Sequence, residues 1–573
     1  MKRCPECRRD YYDDSLSFCL ADGAELVYGL LEDESATKIL SEPDALATEL
    51  PPSESPTRPQ IQTTDRTAVL PIQKDASRKN SLIAAVVGIV LVAALGVGSY
   101  FYYGRGSGSQ IGSIAVMPFV NESGNPDLEY LSDGMTETLI AKLSRLENLK
   151  VKARSTVFHY KGRAGDPKAI GQELGVEAVL LGRVVARGDQ ITLGLELVDV
   201  KTGDQIWSDQ YVRSQPDIIK LQSDVAVDVS TSLRAKFSGT EAPGLTKDYT
   251  HNAEAYQLYL RGRYHMLKTT RADIDKGIVY FQQAISVDPS YALAYSGLAD
   301  AYRSLGLSGE RPPNVEMPKG KAAAEKAVYL DDKLSEAHAN LGFIIYWYDR
   351  NFASAEQELK RAIELDPENS DAHLYYAHVL ITTGNTEQGI AAARRATELE
   401  PLNLRNSALA SQHYSFIGQF DEALALAKRV TDLNPDYWLG HHMAAMAYIG
   451  KGMYDDAAAE AKRASDLNDF SSAPRAFLGY ALAKAGKRSE AEAVINSLLK
   501  QSQADYASPY NIALIYNGLN KTDEALNWLE RGVEVRDPRL VWLSVDPKWD
   551  NLRPDPRYVA ILRRLGLPEW RGV

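Results

Sequence analysis

The sequence predicts a multidomain chain: a small metal-bound module, one transmembrane helix, an α+β domain and an all-α superhelical solenoid. Three observations predict it. All three cysteines (Cys4, Cys7, Cys19) fall in the first nineteen of 573 residues. The run Ser81–Tyr103 carries no charge. From about residue 250, small residues recur every 34 positions, the sign of a repeat array. The length exceeds what one core supports. With 64 Lys+Arg against 76 Asp+Glu, the net charge is −12. That balance argues against a broad basic face, so no nucleic-acid partner is expected. A mean hydropathy of −0.29 excludes a polytopic membrane protein and permits one span. So few cysteines exclude a disulfide scaffold.

Cys4-Pro5-Glu6-Cys7 has the two-residue gap that lets two thiolates grip one tetrahedral ion. Cys19-Leu20-Ala21-Asp22-Gly23 follows. The segment resembles a short zinc ribbon, residues 1–27, whose fourth thiolate has become a carboxylate. The expected cofactor is one Zn2+ held by Cys4, Cys7, Cys19 and Asp22; water or a thiol from another chain are alternative fourth ligands. The competing readings are a metal-free pair of turns and a redox dithiol, but a redox pair is expected beside a βαβ pattern. Twenty-five residues cannot build a core, so metal would supply most of the folding free energy.

Residues 28–80 lose periodicity and include Pro51, Pro52, Pro56 and Pro59, which predicts a disordered linker. The uncharged run 81–103 reaches about 34 Å as a helix, enough for a bilayer core. Tyr100, Phe101, Tyr102 and Tyr103 suit one interface. Lys74, Arg78 and Lys79 precede the run, and only Arg105 follows it closely. The positive-inside rule then puts the N-terminus in the cytoplasm and the cysteine-free bulk outside, in a bacterium the periplasm. The expected location is the bacterial inner membrane, crossed once.

Residues 113–237 change period. Strands are expected at 113–119 and 149–154, helices at 127–146 and 166–174, three meandering strands at 178–186, 191–198 and 205–212, and a closing helix at 218–237. The runs IAVMPFVNESGNPDLEYLSDGMTETLIAKLSRL, VKARSTVFHYKG, GQELGVEAVLLGRVV and TGDQIWSDQY resemble the FlgO-like, TolB-N-terminal-like envelope domain. The resemblance implies a non-enzymatic domain. Asp133-Gly134 is read as starting or bending the first helix, and Gly182 and Trp207 as packing positions.

Beyond residue 250, one set of small residues reads Gly389, Ala423, Ala457, Ala491, Ala525, and another Ala377, Ser411, Ala445, Gly479, Ala513. Pro367, Pro401 and Pro435 keep the same step and end each second helix. These positions resemble the tetratricopeptide repeat (TPR), which implies a superhelix of about eight helix pairs over 250–540. A capping helix and tail are expected at 541–573. The first helices of such an array line a concave groove. Positions two, five and nine of each unit give Asp371, Leu374, His378, Arg405, Gln412, Leu439, His442, Met446, Tyr480, Tyr510 and Leu514 as candidate contacts for a protein or peptide partner.

No nucleophile elbow, Walker loop, HExxH or kinase signature is present. The sequence therefore predicts a non-enzymatic, membrane-anchored interaction scaffold. Transmembrane signalling through a recruited cytoplasmic partner and a structural role in envelope assembly are the alternatives.

Overall fold

The computed structural model describes residues 2–3, 10–11, 27–28 and 111–568, apart from 147–148, 164, 235–248, 269, 310, 469–470 and 505. The metal-ligand set Cys4, Cys7, Cys19 and Asp22, the linker beyond Tyr28 and the run 81–103 lie outside the described residues. Among the described residues no helix is long and apolar enough to cross a membrane, and no group of side chains is arranged to hold a metal ion.

Near the N-terminus, β1 (Lys2–Arg3) pairs antiparallel with both β2 (Asp10–Tyr11) and β3 (Val27–Tyr28). These strands belong to a unit separate from the rest.

The second unit opens with a six-stranded mixed sheet. Its strands are β4 (Ser113–Val116), β5 (Val120–Asn121), β6 (Lys150–Val151), β7 (Ala178–Arg187), β8 (Gln190–Asp199) and β9 (Gln205–Ser214). The order is β6-β4-β7-β8-β9, with β5 also on β7. β4 runs parallel to β6 and β7, and β7 to β9 form an antiparallel meander. Its two turns use Gly188 and Gly203 at positive φ. Apolar residues alternate along β8, with Ile191, Leu193, Leu195 and Leu197 buried, as a sheet covered on one face requires.

Four helices accompany the sheet: α1 (Glu129–Leu143), α2 (Arg154–Phe158), α3 (Pro167–Leu174) and α4 (Ile218–Arg234). α3 begins with Pro167 after an Asp166 cap that accepts from the Lys168 amide. Two details differ from the sequence expectation. Arg154 starts a short helix rather than ending a strand. Asp133 and Gly134 lie inside α1, so they do not start it. Gly182 does pack tightly: a Cβ there would lie 2.2 Å from Phe119.

Eight helix pairs follow. They are α5 (Ala253–Met266) with α6 (Arg271–Val287), α7 (Ala292–Ser308) with α8 (Pro313–Leu330), and α9 (Ser335–Ile344) with α10 (Phe352–Leu365). Next come α11 (Ser370–Thr382) with α12 (Thr386–Leu399), α13 (Leu404–Phe416) with α14 (Phe420–Leu433), and α15 (Trp438–Gly450) with α16 (Tyr454–Asp466). The last are α17 (Ala473–Lys484) with α18 (Arg488–Ala504), and α19 (Pro509–Gly518) with α20 (Thr522–Glu534). The helix α21 (Pro556–Arg564) buries Tyr558, Ile561 and Leu562 at the end, which covers the last apolar face of a stacked array.

Several of the 34-residue positions are close helix contacts. A Cβ on Gly389 would lie 2.5 Å from Ile381, and one on Gly479 2.6 Å from Ile515. The turns inside the third to eighth pairs have their own period. Left-handed residues stand at Arg350, Gly384, Gly418, Gly452, Gly486 and Asn520, each 34 apart.

Candidate functional site

The array closes on itself. The 3-10 turn Pro538–Trp542, after the eighth pair, returns to the second and third pairs. Arg539 Nη2 donates to the Leu307 carbonyl at 2.5 Å, and Ser472 Oγ to the Gly309 carbonyl at 3.1 Å. Arg350 Nη2 donates to the Asp537 carbonyl at 3.0 Å. The Trp347 and Trp542 rings meet edge-on, 4.8 Å between centroids. Asp537 is fully buried and anchors this seam, accepting from Ser508 Oγ (2.5 Å), the Tyr510 amide (3.1 Å) and the Arg539 amide (3.1 Å).

Arg350 is the exception that marks the seam. Four of its five periodic counterparts are glycine, and a non-glycine residue there costs about 1–2 kcal/mol. It follows a π-helical turn, Ile345–Asp349, and its guanidinium is buried, which pulls its pKa down to about 10. Local strain held in place by a long-range bond commonly marks a functional segment.

The α+β domain stands against the same inner face. Leu260 of α5 packs onto Gly134 of α1, where a Cβ would lie 2.6 Å away. Tyr256 OH is shared between Thr138 Oγ1 (2.7 Å) and Gln222 Nε2 (2.6 Å). Further along, Ser155 Oγ donates to Glu400 at 2.7 Å. One buried apolar cluster runs without a break from Ile111 through the sheet to Val379 in α11.

Between ring and domain lies a cavity of about 2700 Å³, to which the first helix of all eight pairs contributes. Of the residues chosen from the sequence, Asp371, His378, Arg405, Gln412, Leu439, His442 and Tyr510 line it. Leu374, Met446, Tyr480 and Leu514 do not; all four are buried in the helix packing. The misses are Leu374 at position five and Met446, Tyr480 and Leu514 at position nine, whereas position six, which at 100° per residue lies beside position two, adds Tyr375, Leu409 and Met443 to the wall.

One half of the wall is charged. Glu137 on α1 accepts from Arg154 (3.1 Å) and Arg263 (2.6 Å), and Arg263 reaches Glu336 (3.4 Å). Burial pushes the Glu137 carboxyl up, but Arg263 and Arg154 outweigh it and hold the group below its usual range. Burial raises Glu336, which Arg263 offsets only in part. Arg303 is paired with Asp300 and lies over the Phe343 ring, 4.7 Å from its centroid. Arg405 bonds Asp371 (3.1 Å) and Tyr375 OH (3.0 Å). The cations are thus compensated one by one, leaving a polar but balanced surface. Sequence patterning missed Arg263 and Glu137, whose partners lie on other elements, and Arg303, which pairs with Asp300 on its own helix but lies over Phe343 of α9.

The other half is aromatic, with Trp347, Trp438, Phe477, Tyr510 and Trp542. Here His378 Nδ1 meets His413 Nε2 at 2.9 Å. Burial holds His378 well below its usual value, and pushes His413 and His442 down to about 3. Among the described residues, no group lies within hydrogen-bond reach of His378 Nε2, Gln412 Oε1, His442 Nδ1 or Asn511 Oδ1.

These imidazoles set a pH dependence. Free histidine titrates near 6.5, so below about pH 6.5 the unfolded chain binds protons that the folded rings refuse. Stability is therefore lost progressively as pH falls toward about 3, while above about pH 7 both states are neutral and no dependence arises. Thermal unfolding at about pH 5 should show a lower Tm than at about pH 7.5. The drop should shrink in a His378→Gln/His413→Gln chain; an equal drop in both would assign it elsewhere.

Comparison with known proteins fits this geometry. Tetratricopeptide-repeat models match residues 346–412 and 509–537. The helical array is a TPR solenoid. Residues 109–227 match the model of the HilA/YgeH-like transcriptional regulator, second domain, a different name from the FlgO-like, TolB-like resemblance drawn from sequence. The chain is 30% identical over 241 residues to a "Putative adenylate cyclase 3" of Rhizobium meliloti (strain 1021), covering 42% of this chain and 41% of that one. The chain thus spans well under half the length of that curated relative. Among solved structures, yeast Tom70 is 15% identical with a TM-score of 0.36, covering 76% of this chain and 85% of that one. A thermophilic TPR protein of Thermus thermophilus is 19% identical with a TM-score of 0.29, covering 33% of this chain and 96% of that one.

Proposed function

We propose that the chain is a non-enzymatic, membrane-anchored scaffold whose closed TPR cavity captures an extended segment of a partner protein. The cavity is the observation that carries this reading. Its volume, about 2700 Å³, exceeds the roughly 300–1,000 Å³ of small-molecule sites and suits a peptide. The buried donors and acceptors without protein partners, at His378, Gln412, His442 and Asn511, are groups that peptide amides would satisfy. The compensated arginines favour a partner segment without strong net charge. Position-specific cross-linking from the cavity wall tests the reading.

Ser81–Tyr103 would anchor the chain in the bacterial inner membrane, with the TPR array and the α+β domain in the periplasm. That placement rests on the uncharged run and its flanking lysines and arginines, and on the FlgO-like resemblance. A cytoplasmic Zn2+ module would use Cys4, Cys7, Cys19 and Asp22. Arg3 pairs with Asp10, so the chain on either side of Cys4–Cys7 is brought together, which supports a metal-gripping turn. The zinc would be structural, held by thiolates with the carboxylate as fourth ligand. A membrane-impermeant thiol reagent should miss all three cysteines in intact cells, and label them in opened membranes only after chelation. Labelling of intact cells would overturn the topology, and chelator-independent labelling the metal.

Signalling through a recruited cytoplasmic partner is the second reading. It is favoured because the family model matched at 109–227 is named for a transcriptional regulator and the matched relative is named a putative adenylate cyclase.

A further inference from the structure

The sheet leaves one edge open. β9 is the terminal strand, and among the described residues no strand pairs with its outer side. Its ten residues are about twice the usual strand length, and it contains no proline or lysine to blunt the edge. The register irregularity sits at its start, opposite Leu197 and Val198, so the stretch Trp207–Ser214 is regular. Long, regular open edges pair with other chains unless they are covered or their charges repel, and the charges on β9, Asp209 and Arg213, are of opposite sign.

Two further features gather at this edge. Val212 on β9 is 43% exposed, and Val227 on α4 behind it is 38% exposed. A groove of about 240 Å³ runs between strand and helix, lined by Tyr211, Arg213, Ser223, Asp224, Val227 and Asp228.

We propose that the occupant of this edge is a second copy of the chain, paired antiparallel through β9 about a two-fold axis. Charge fixes the register. A two-fold pair places a residue on the axis opposite itself, and residues on one face of the sheet oppose each other at Cβ separations of about 4.5–5.5 Å. Centring on Tyr211 sets Asp209 opposite Arg213 of the second copy, and Arg213 opposite its Asp209. Centring on Asp209 or Arg213 sets like charges against each other. Beyond a bond to the adjacent Val212 carbonyl, Arg213 meets its own chain through a long 3.5 Å contact with Asp224, so its guanidinium is available to turn across the axis. The same pairing brings Val212 opposite Gln210 of the second copy and covers its exposed face. The dimer edge lies on the α+β domain and leaves the TPR cavity to its partner.

The test is the mass of the full chain in detergent, by light scattering on a sizing column, for four proteins. The native chain should run at twice its 63.2 kDa mass. Asp209→Arg and Arg213→Asp should each weaken the dimer at least tenfold, by opposing like charges across the axis. The double swap Asp209→Arg/Arg213→Asp should restore it, which separates the charge pairing from a general intolerance of either substitution. A monomeric native chain overturns the proposal. So does a dimer unaffected by either single change, or a double variant that stays monomeric.

Discussion

Replacing Asp537 with alanine should lower the stability of the chain by about 3 kcal/mol and open the TPR ring. The carboxylate is fully buried and accepts from Ser508 Oγ, the Tyr510 amide and the Arg539 amide. Removing it leaves three buried donors unpaired, and each such group costs about 1–3 kcal/mol before relaxation. The loss propagates, because Arg539 and the Asp537 carbonyl carry the bonds to Leu307 and Arg350. The control is Asp523→Ala. Asp523 pairs with Arg557 at 3.4 Å but is almost fully exposed, so its removal should cost less than about 0.5 kcal/mol. Urea unfolding of the two variants beside the native chain measures both. A loss under about 1 kcal/mol for Asp537→Ala would mean that the seam is a passive contact.

Substituting Gly134 with leucine should wedge the α+β domain away from the solenoid. A Cβ there already lies 2.6 Å from two Leu260 methyl carbons, and Leu260 is itself buried. Helix propensity alone favours the change by about 1 kcal/mol, but overpacking a tight contact costs about 1–3 kcal/mol. With four side-chain carbons to place, the clash wins. The shared apolar cluster from Ile111 to Val379 would then be split, and calorimetry should resolve two transitions where the native chain gives one. Adding Leu260→Ala should return a single transition, because the new leucine refills the space. If the double variant still shows two, the interface depends on other contacts, such as Glu137 with Arg263.

The two large effects sit where the sequence is least informative. Local pattern reads the elements well: the meander at 178–214, the Asp166-Pro167 helix start and the 34-residue steps from Ala377 to Ser411 and from Gly389 to Ala423 all follow from nearest-neighbour chemistry. Ring closure does not, because it depends on a small rotation accumulated over eight pairs. Leu307 and Arg539 are 232 residues apart, and nothing local links them. The groove stripe failed in a smaller way. In the fourth pair position five is Leu374, which is buried, while position six is Tyr375, which bonds Arg405, and in the last three pairs position nine turns into the packing at Met446, Tyr480 and Leu514. One signal was present and unused. Arg350 stands where Gly384, Gly418, Gly452 and Gly486 stand in later units, and an arginine that takes a glycine position is the local trace of the seam.

The central claim is that the cavity holds a segment of another protein. The most direct measurement places a photo-reactive benzoylphenylalanine at Trp438, on the cavity wall, and separately at Tyr329, which is 67% exposed on an outer helix. Irradiation of living cells should give one discrete protein adduct from position 438 and none from 329. The adduct should weaken when Asp537→Ala opens the ring. No adduct from position 438, or the same adduct from both positions, would contradict capture in the cavity.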